Sequence, residues 1–239
     1  MKVISFNIQT SEKQDEKVND LVKFIETQDA DVIGLQEVCP GTLRKLGELL
    51  QDYQVFGKPR DVTDKFTSEA CPVLVKKKYE VISNETIWLS DTTDKPASKF
   101  RFASFPRIVT HVKFIVNGKE VNFYNTHLEW IFERIRRKQV NVLLKYMEKG
   151  TNCILTGDMN AMKTHLSYKM IALKYESLTS DLTENTIHAN GKKSVRKLPI
   201  DHMFVSQGLK GTKAKIVKER INGRYLSDHY PIMAEIDFK

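Results

Sequence analysis

Cysteine is scarce in this chain. Its three copies, Cys39, Cys71 and Cys153, are scattered and odd in number among 239 residues, which excludes a disulfide framework and any paired-cysteine zinc spacing. Cys71 and Cys153 stand in apolar runs, where a free cysteine serves as a small core residue. No apolar run is long enough to span a bilayer, so no membrane anchor is expected. No charged-then-apolar leader precedes Lys2-Val3-Ile4-Ser5-Phe6-Asn7, which predicts a cytoplasmic protein. There is no His-Glu-x-x-His pair for zinc and no Gly-x-x-x-x-Gly-Lys-Ser/Thr loop for a nucleoside triphosphate. Fixed repeats, low-complexity tracts and linker-like shifts in composition are also missing, so one domain over residues 1–239, acting as a monomer, is the expectation. Acidic residues are in deficit, 30 against 38 lysines and arginines, leaving a net charge of +8. That balance suits an anionic partner such as nucleic acid, phospholipid or a phosphorylated metabolite.

What is present begins with alternating strands and helices. Residues 2–8 read as a strand, and 14–28 as a helix with Val18, Leu21, Val22 and Ile25 on one face. Residues 31–38 read as a buried strand broken by Pro40-Gly41, and 42–51 as a second helix. This β-α-β-α opening is the pattern of strands covered by helices. The middle is strand-rich, at 54–57, 70–75, 80–88, 105–116 and 120–126, with Asn117-Gly118 as a hairpin turn. A polar loop, Asp91 to Phe105, interrupts it. A helix near 131–148 turns Val140, Leu143, Leu144 and Met147 inward and Arg134, Arg136, Arg137 and Lys138 outward. That basic run reads as a solvated face or as a phosphate-binding surface. A short helix near 165–174, a loop over 179–197 made basic by Lys192, Lys193, Arg196 and Lys197, and strands near 199–205, 213–218 and 231–237 complete the chain.

Polar groups recur where apolar runs stop: Asn7, Glu37, His127, Asp158 with Asn160, Asp201 with His202, and Asp228 with His229. The central example is Cys153-Ile154-Leu155-Thr156-Gly157-Asp158-Met159-Asn160. It is a buried strand that ends by presenting a carboxylate and, two residues on, a carboxamide. Each group alone has a structural reading. Asn7 suits a turn, Glu37 a helix cap, His127 a backbone-satisfied histidine, Asp201 an arginine-paired strand acid, and Asp228-His229 a turn. Together they suggest a shared site, because an unpartnered carboxylate or imidazole beside a core is costly and the same cost recurs at the same kind of position. Oxygen ligands of this kind suit Mg²⁺ or Mn²⁺, and histidines suit charge on phosphoryl oxygens.

In order along the chain, Phe6-Asn7, Leu35-Gln36-Glu37-Val38, Asn125-Thr126-His127-Leu128, Gly157-Asp158-Met159-Asn160, Ile200-Asp201-His202-Met203-Phe204-Val205 and Ser227-Asp228-His229-Tyr230-Pro231 resemble the endonuclease/exonuclease/phosphatase superfamily. The resemblance spans residue 3 to about 236. It implies an α/β (α+β) fold, a deoxyribonuclease I-like four-layer sandwich of two mainly antiparallel β-sheets flanked by helices. It also implies Mg²⁺- or Mn²⁺-dependent phosphoester hydrolysis by an activated water. By the same resemblance, Glu37, Asn7 and Asp228 would serve the metal. Asp158 and Asn160 would activate and orient the water, His229 paired with Asp201 would stabilise the transition state, and His127 would lie near the leaving group. Glu69, in Ser68-Glu69-Ala70-Cys71-Pro72, matches a glutamate that orients that histidine, though the flanking glycine is absent here. His188 matches a substrate-pocket position of a bacterial subgroup, and Arg107 an arginine of that subgroup that would bind phosphate or brace the sheet. His202, alternating with Asp201, should point away, and His111 and His165 have no motif support.

The chain departs from that subgroup at Arg101-Phe102 and Val73-Leu74-Val75, both near the expected substrate rim. The substrate therefore stays open between nucleic acid and a small phosphorylated metabolite or lipid headgroup. An abasic-site repair role is disfavoured by Asn125-Thr126-His127. A non-catalytic binding module is the remaining alternative, and the intact Glu37, Asp158 and His229 speak against it.

Overall fold

The computed structural model describes residues 1–11, 14–61, 68–188 and 199–239. The run from Lys192 to Lys197 lies outside the described residues. Numbering strands in chain order, the first sheet runs β11 (Leu209–Gly211), β13 (Ile232–Phe238), β1 (Lys2–Asn7), β2 (Val32–Gln36), β4 (Val73–Lys76), β3 (Tyr53–Phe56), with β12 (Lys215–Ile216) also on β13. The second runs β5 (Val81–Trp88), β6 (Ile108–Val116), β7 (Lys119–His127), β8 (Cys153–Asp158), β10 (Asp201–Val205), β9 (Glu176–Ser177). Pairing is antiparallel except for β1 with β2 and β7 with β8. Each of those parallel pairs is joined by a helical crossover, α1 (Val18–Gln28) and α3 (Glu133–Met147), as parallel neighbours require.

Strand periodicity assembles the layers. Val3, Val32 and Val73 of the first sheet meet Val112, Phe123, Ile154 and Met203 of the second. The alternate residues Ile4, Phe6, Ile33 and Leu35 face outward onto α1 and α2 (Pro40–Leu49). Val109, Leu155 and Phe204 likewise face α3 and α4 (Leu166–Ala172). The result is the expected α/β sandwich with helices outside both sheets. Carried to the strand ends, the same alternation turns Asn7, His127, Asp158 and Asp201 into the gap between the sheets at one edge.

A buried polar bridge fixes that edge. Asn125 of β7 donates across the gap to the Leu35 carbonyl at 2.6 Å and the Pro72 carbonyl at 2.9 Å, and accepts from Gln36 Nε2 at 2.7 Å. Gly34 makes room for it, since a Cβ there would lie 2.6 Å from Asn125 Oδ1. On β8, a Cβ at Gly157 would lie 2.0 Å from the Thr126 carbonyl oxygen, where φ is also +154°. Gly157→Ala is therefore expected to lower the urea midpoint by an amount equivalent to about 2–4 kcal/mol, because backbone cannot swing aside as a side chain can. An unchanged midpoint would refute this.

Some sequence expectations are corrected. The strand ends before Pro40-Gly41 as expected, but α2 starts at Pro40 instead of at residue 42: proline at a helix start has no N–H to waste, and a Cβ at Gly41 would meet the Asp15 carboxylate at 2.3 Å. Arg136 is not on the outer face of α3. It is buried, bonding Glu133 at 2.9 Å and the Glu129 carbonyl. The strand expected from residue 105 begins at Ile108. Strands β9 and β11, two and three residues long, are too short to show a period. The hairpin at Asn117-Gly118 forms as expected, with φ of 50° and 75°.

Candidate active site

The side chains singled out from sequence converge at the shared edge. Asn7 ends β1 and braces two carboxylates, donating to Glu37 Oε1 at 2.9 Å and Asp158 Oδ2 at 3.0 Å. Its own oxygen accepts from the Gln9 amide at 3.0 Å. Glu37 follows β2 with φ of 60°, a left-handed kink that brings it inward directly after the inward-facing Gln36. The Thr10 amide fixes Glu37 Oε2 at 2.8 Å. Asp158 ends β8, opposite Asp201 in the β8–β10 register, and its Oδ1 accepts from the Asn160 amide at 2.8 Å. Asn160, itself left-handed at φ 46°, lies 2.9 Å from His127 Nε2 and donates to the Leu128 carbonyl at 3.0 Å. With that amide donating, His127 is the Nδ1–H tautomer, and Nδ1 is buried without a hydrogen-bond partner, 3.8 Å from Glu37 Oε1. His229 Nδ1 meets Asp201 Oδ2 at 2.9 Å, and its Nε2 faces Asp158 Oδ2 at 3.8 Å.

Electrostatics divide these groups. Burial pulls the His229 pKa down, yet the charge and hydrogen bond of Asp201, then Asp158 and Asp228, outweigh it and push it up to about 10. His229 is thus an imidazolium held by its carboxylate. His127 goes the other way: burial first, then the charges of Arg107, Arg60 and His229, hold it well below 6.5 and neutral. Asp158 is raised above the usual carboxylate range by burial and by the like charge of Asp201.

Oxygen and nitrogen atoms of Glu37, His127 and Asp158 lie within 4.8 Å of one another, as do those of Asp158, Asp201 and His229. Asp228 is in neither group. It neighbours His229, and its carbonyl accepts from the His188 amide at 2.7 Å. The donor set of Glu37 and Asp158 fits a hard divalent cation, and the crowding that raises Asp158 is the kind that a cation relieves.

Glu37, His127, Asp158, Asn160 and His229 line a cavity of about 210 Å³ whose other walls are Arg60, Glu69, Phe105, Arg107, Trp130, Ile187 and Ile200. Arg107 is 4% exposed, and its Nε and Nη1 have no hydrogen-bond partner. Glu69 reaches the pocket but not His127: it accepts from Thr10 Oγ1 at 2.8 Å and from Arg60 Nη1 at 2.5 Å. The expectation that Glu69 orients His127 is therefore corrected, and Asn160 is the group bonded to that ring. His188 does not line the cavity; Ile187 does, and the His188 ring packs 4.1 Å from Tyr230 and 4.7 Å from Tyr225. Arg60 went unnoticed in the sequence because nothing around it is patterned. It comes to the site by lying over Phe105, 4.6 Å from the ring centre. A larger hollow of about 460 Å³, lined by Glu85, His111, Asn122 and Tyr146 among others, holds none of the strand-end groups. Its polar groups bond one another, as in His111 to Asn122 at 2.9 Å and Tyr146 to Glu85 at 2.6 Å.

His202 faces away from the site, as alternation predicts. It is fully buried between the Thr179 hydroxyl and the Ala161 carbonyl, each at 2.8 Å. Burial holds its pKa down at about 4. The unfolded chain, with histidine near 6.5, takes up this proton first, so stability is full above pH 6.5 and is lost as pH falls to about 4, by about 3 kcal/mol. Urea midpoints measured from pH 7 to 4 should fall less steeply in His202→Gln than in the parent. Equal slopes would refute this.

The Endonuclease/Exonuclease/phosphatase family pattern matches residues 4–229. The chain is a member of that family. No curated protein sequence matches it. Among solved structures, an endonuclease/exonuclease/phosphatase from Bacteroides vulgatus is 24% identical with a TM-score of 0.87, covering 100% of this chain and 98% of that one. The Bacteroides thetaiotaomicron mannosyl-6-phosphatase is 24% identical with a TM-score of 0.87, each chain covered 100%. D. rerio TDP2 complexed with single-strand DNA product is 17% identical with a TM-score of 0.79, covering 99% of this chain and 98% of that one. At these identities the likeness carries the fold. Within this family fold, the described residues include no helix long and apolar enough to cross a membrane.

Proposed function

We propose that the protein is a divalent-metal-dependent phosphoesterase whose preferred substrate is a small phosphomonoester. Arg107 carries this reading: its guanidinium lines the wall of the pocket with no carboxylate within ion-pair distance among the described residues, and a buried cation so placed is stabilised by an anion bound in front of it. A terminal phosphate offers more charge and more free oxygens than a diester does.

Glu37 and Asp158, braced by Asn7, would hold Mg²⁺ or Mn²⁺. When bound, the cation supplies Lewis-acid neutralisation of the phosphate oxygens. Asp158, fixed by the Asn160 amide, takes a proton from the attacking water, and its position beside Asn160 sets the line of attack. The His229 imidazolium donates from Nε2 to a phosphoryl oxygen as charge develops there, and Asp201 keeps the ring charged and oriented. Neutral His127, held by Asn160 and with its Nδ1 beside Glu37, lines the pocket near the leaving oxygen. Arg107 holds the remaining oxygens. The water oxygen–phosphorus bond forms, the ester phosphorus–oxygen bond breaks, and the departing oxygen takes a proton from solvent while Asp158 gives the water's proton back to solvent. Asp228 acts on His229 through its charge. Arg60, tied to Glu69, forms a fixed wall. All of these groups belong to one domain, which we propose to act as a monomer.

The test is hydrolysis of p-nitrophenyl phosphate, bis-p-nitrophenyl phosphate, sugar and inositol phosphates, plasmid DNA and single-stranded RNA, with Mg²⁺, Mn²⁺ or EDTA. Monoesters should lead, and EDTA should abolish turnover. A second reading, a nuclease, is favoured by the net charge of +8. Metal-dependent strand shortening with monoesters left intact would replace the first reading with it.

A further inference from the structure

Beside the pocket, two loops carry five exposed large apolar side chains: Phe102, 71% exposed, and Phe105, with Trp130, Ile131 and Phe132. Other exposed large apolar residues of the described chain include Leu49, Ile82, Leu166 and Leu173. The exposure is built into the fold. Glu129 is fully buried and ties the loops together, accepting from the Ser104 amide at 2.9 Å, the Ser104 hydroxyl at 2.8 Å and the Ile131 amide at 3.0 Å. Its own backbone is held by Gln139 at 2.9 Å and by Arg136. Underneath, Phe100 and Ala103 pack on Ile135. Cations flank the patch: Arg101 lies over Phe102 at 4.8 Å and Lys138 over Phe100 at 5.2 Å, and Arg134 follows on the same helix start.

A fixed apolar patch edged with positive charge and opening directly into a phosphate pocket has one economical use. We propose that it docks the protein on an anionic lipid bilayer. Phe102, Ile131 and Phe132 would enter the headgroup–acyl boundary, Trp130 would sit at the interface, and Arg101, Arg134 and Lys138 would meet anionic headgroups. Two observations favour lipid over stacked nucleotide bases. Ile131 offers no stacking surface, and the Phe102 and Phe105 rings are already capped by Arg101 and Arg60. Docking does not depend on turnover, so it stands or falls separately from the proposed reaction.

Co-sedimentation of the full chain with extruded vesicles tests it. Phosphatidylcholine vesicles containing phosphatidylserine should bind about tenfold more tightly than phosphatidylcholine alone, with loss of the difference in high salt. Tryptophan emission should shift to the blue on binding, reporting Trp130, because Trp88 is already 6% exposed. The triple variant Phe102→Ser, Ile131→Ser, Phe132→Ser should lose at least tenfold in binding, yet hydrolyse p-nitrophenyl phosphate at the parent rate, since none of the three lines the pocket. Arg101→Glu with Arg134→Glu should erase the preference for anionic vesicles. No sedimentation, sedimentation indifferent to both variants, or loss of single-stranded oligonucleotide binding or of a dimer in the triple variant without lipid binding in the parent would each overturn the proposal.

Discussion

Asp158→Asn should lower kcat for the best monoester by about 10³-fold or more while leaving the melting temperature equal or higher. The two halves of this expectation come from the same geometry. Asp158 sits 2% exposed at the end of β8, opposite Asp201, and its pKa is raised because its charge is disfavoured there. Asparagine keeps the shape and can still bond the Asn160 amide through its oxygen; its nitrogen then meets the Asn7 donor, which offsets part of the gain from losing a buried charge, and it can neither accept the water proton nor offer charge to a cation. The metal-free fold gains by losing a buried like charge, a cost that the active protein bears for function. Mg²⁺ titration makes the same point without turnover. The parent should gain melting temperature with added Mg²⁺, and Asp158→Asn and Glu37→Gln should gain little. Activity within tenfold of the parent would remove Asp158 from the proposed chemistry. A large fall in melting temperature would make it structural.

The strand-end groups were legible because two simple rules act on them together. Strand period places Asn7, His127, Asp158 and Asp201 on the same inner face as Val3, Phe123, Ile154 and Met203, and apolar runs that stop at a polar residue mark the edge where they emerge. His202 followed the same rule outward. Groups that depend on a kink or on distant chain were not legible in this way. Glu37 follows an inward Gln36 and reaches the site only through a left-handed φ, which no period encodes. Arg60 arrives from a stretch without pattern, and Glu69 pairs with it instead of with the histidine the motif implied. Gln36 and Asn125 were read as letters of motifs, yet their side chains are the bridge that locks the two sheets under the site. Helix α2 differs only at its start: Pro-Gly does end the strand pattern, but a proline at the first turn and a glycine packed on Asp15 already belong to the helix expected from residue 42.

Arg107→Met is expected to reduce kcat/KM for p-nitrophenyl phosphate by about 10²–10³-fold and for bis-p-nitrophenyl phosphate by less than tenfold. The difference rests on what the guanidinium meets. The guanidinium lines the pocket wall with no ion-pair partner among the described residues, so a terminal phosphate in the pocket would supply the charge that it lacks. A diester has a carbon substituent on one more of its oxygens and less charge to share. Burial, then the charge of Arg60, lowers the Arg107 pKa, and Glu69 and Glu129 offset this only in part. Methionine fills similar volume without the charge, so the empty protein should be as stable as the parent or more so. Lysine should not rescue, because its single ammonium cannot reproduce a planar pair of donors. If Arg107 instead braces the sheet, Arg107→Met lowers the melting temperature and slows both substrates equally. Measuring the two esters side by side with one melting curve therefore separates a phosphate-binding arginine from a structural one, and with it a monoesterase from a general phosphoesterase.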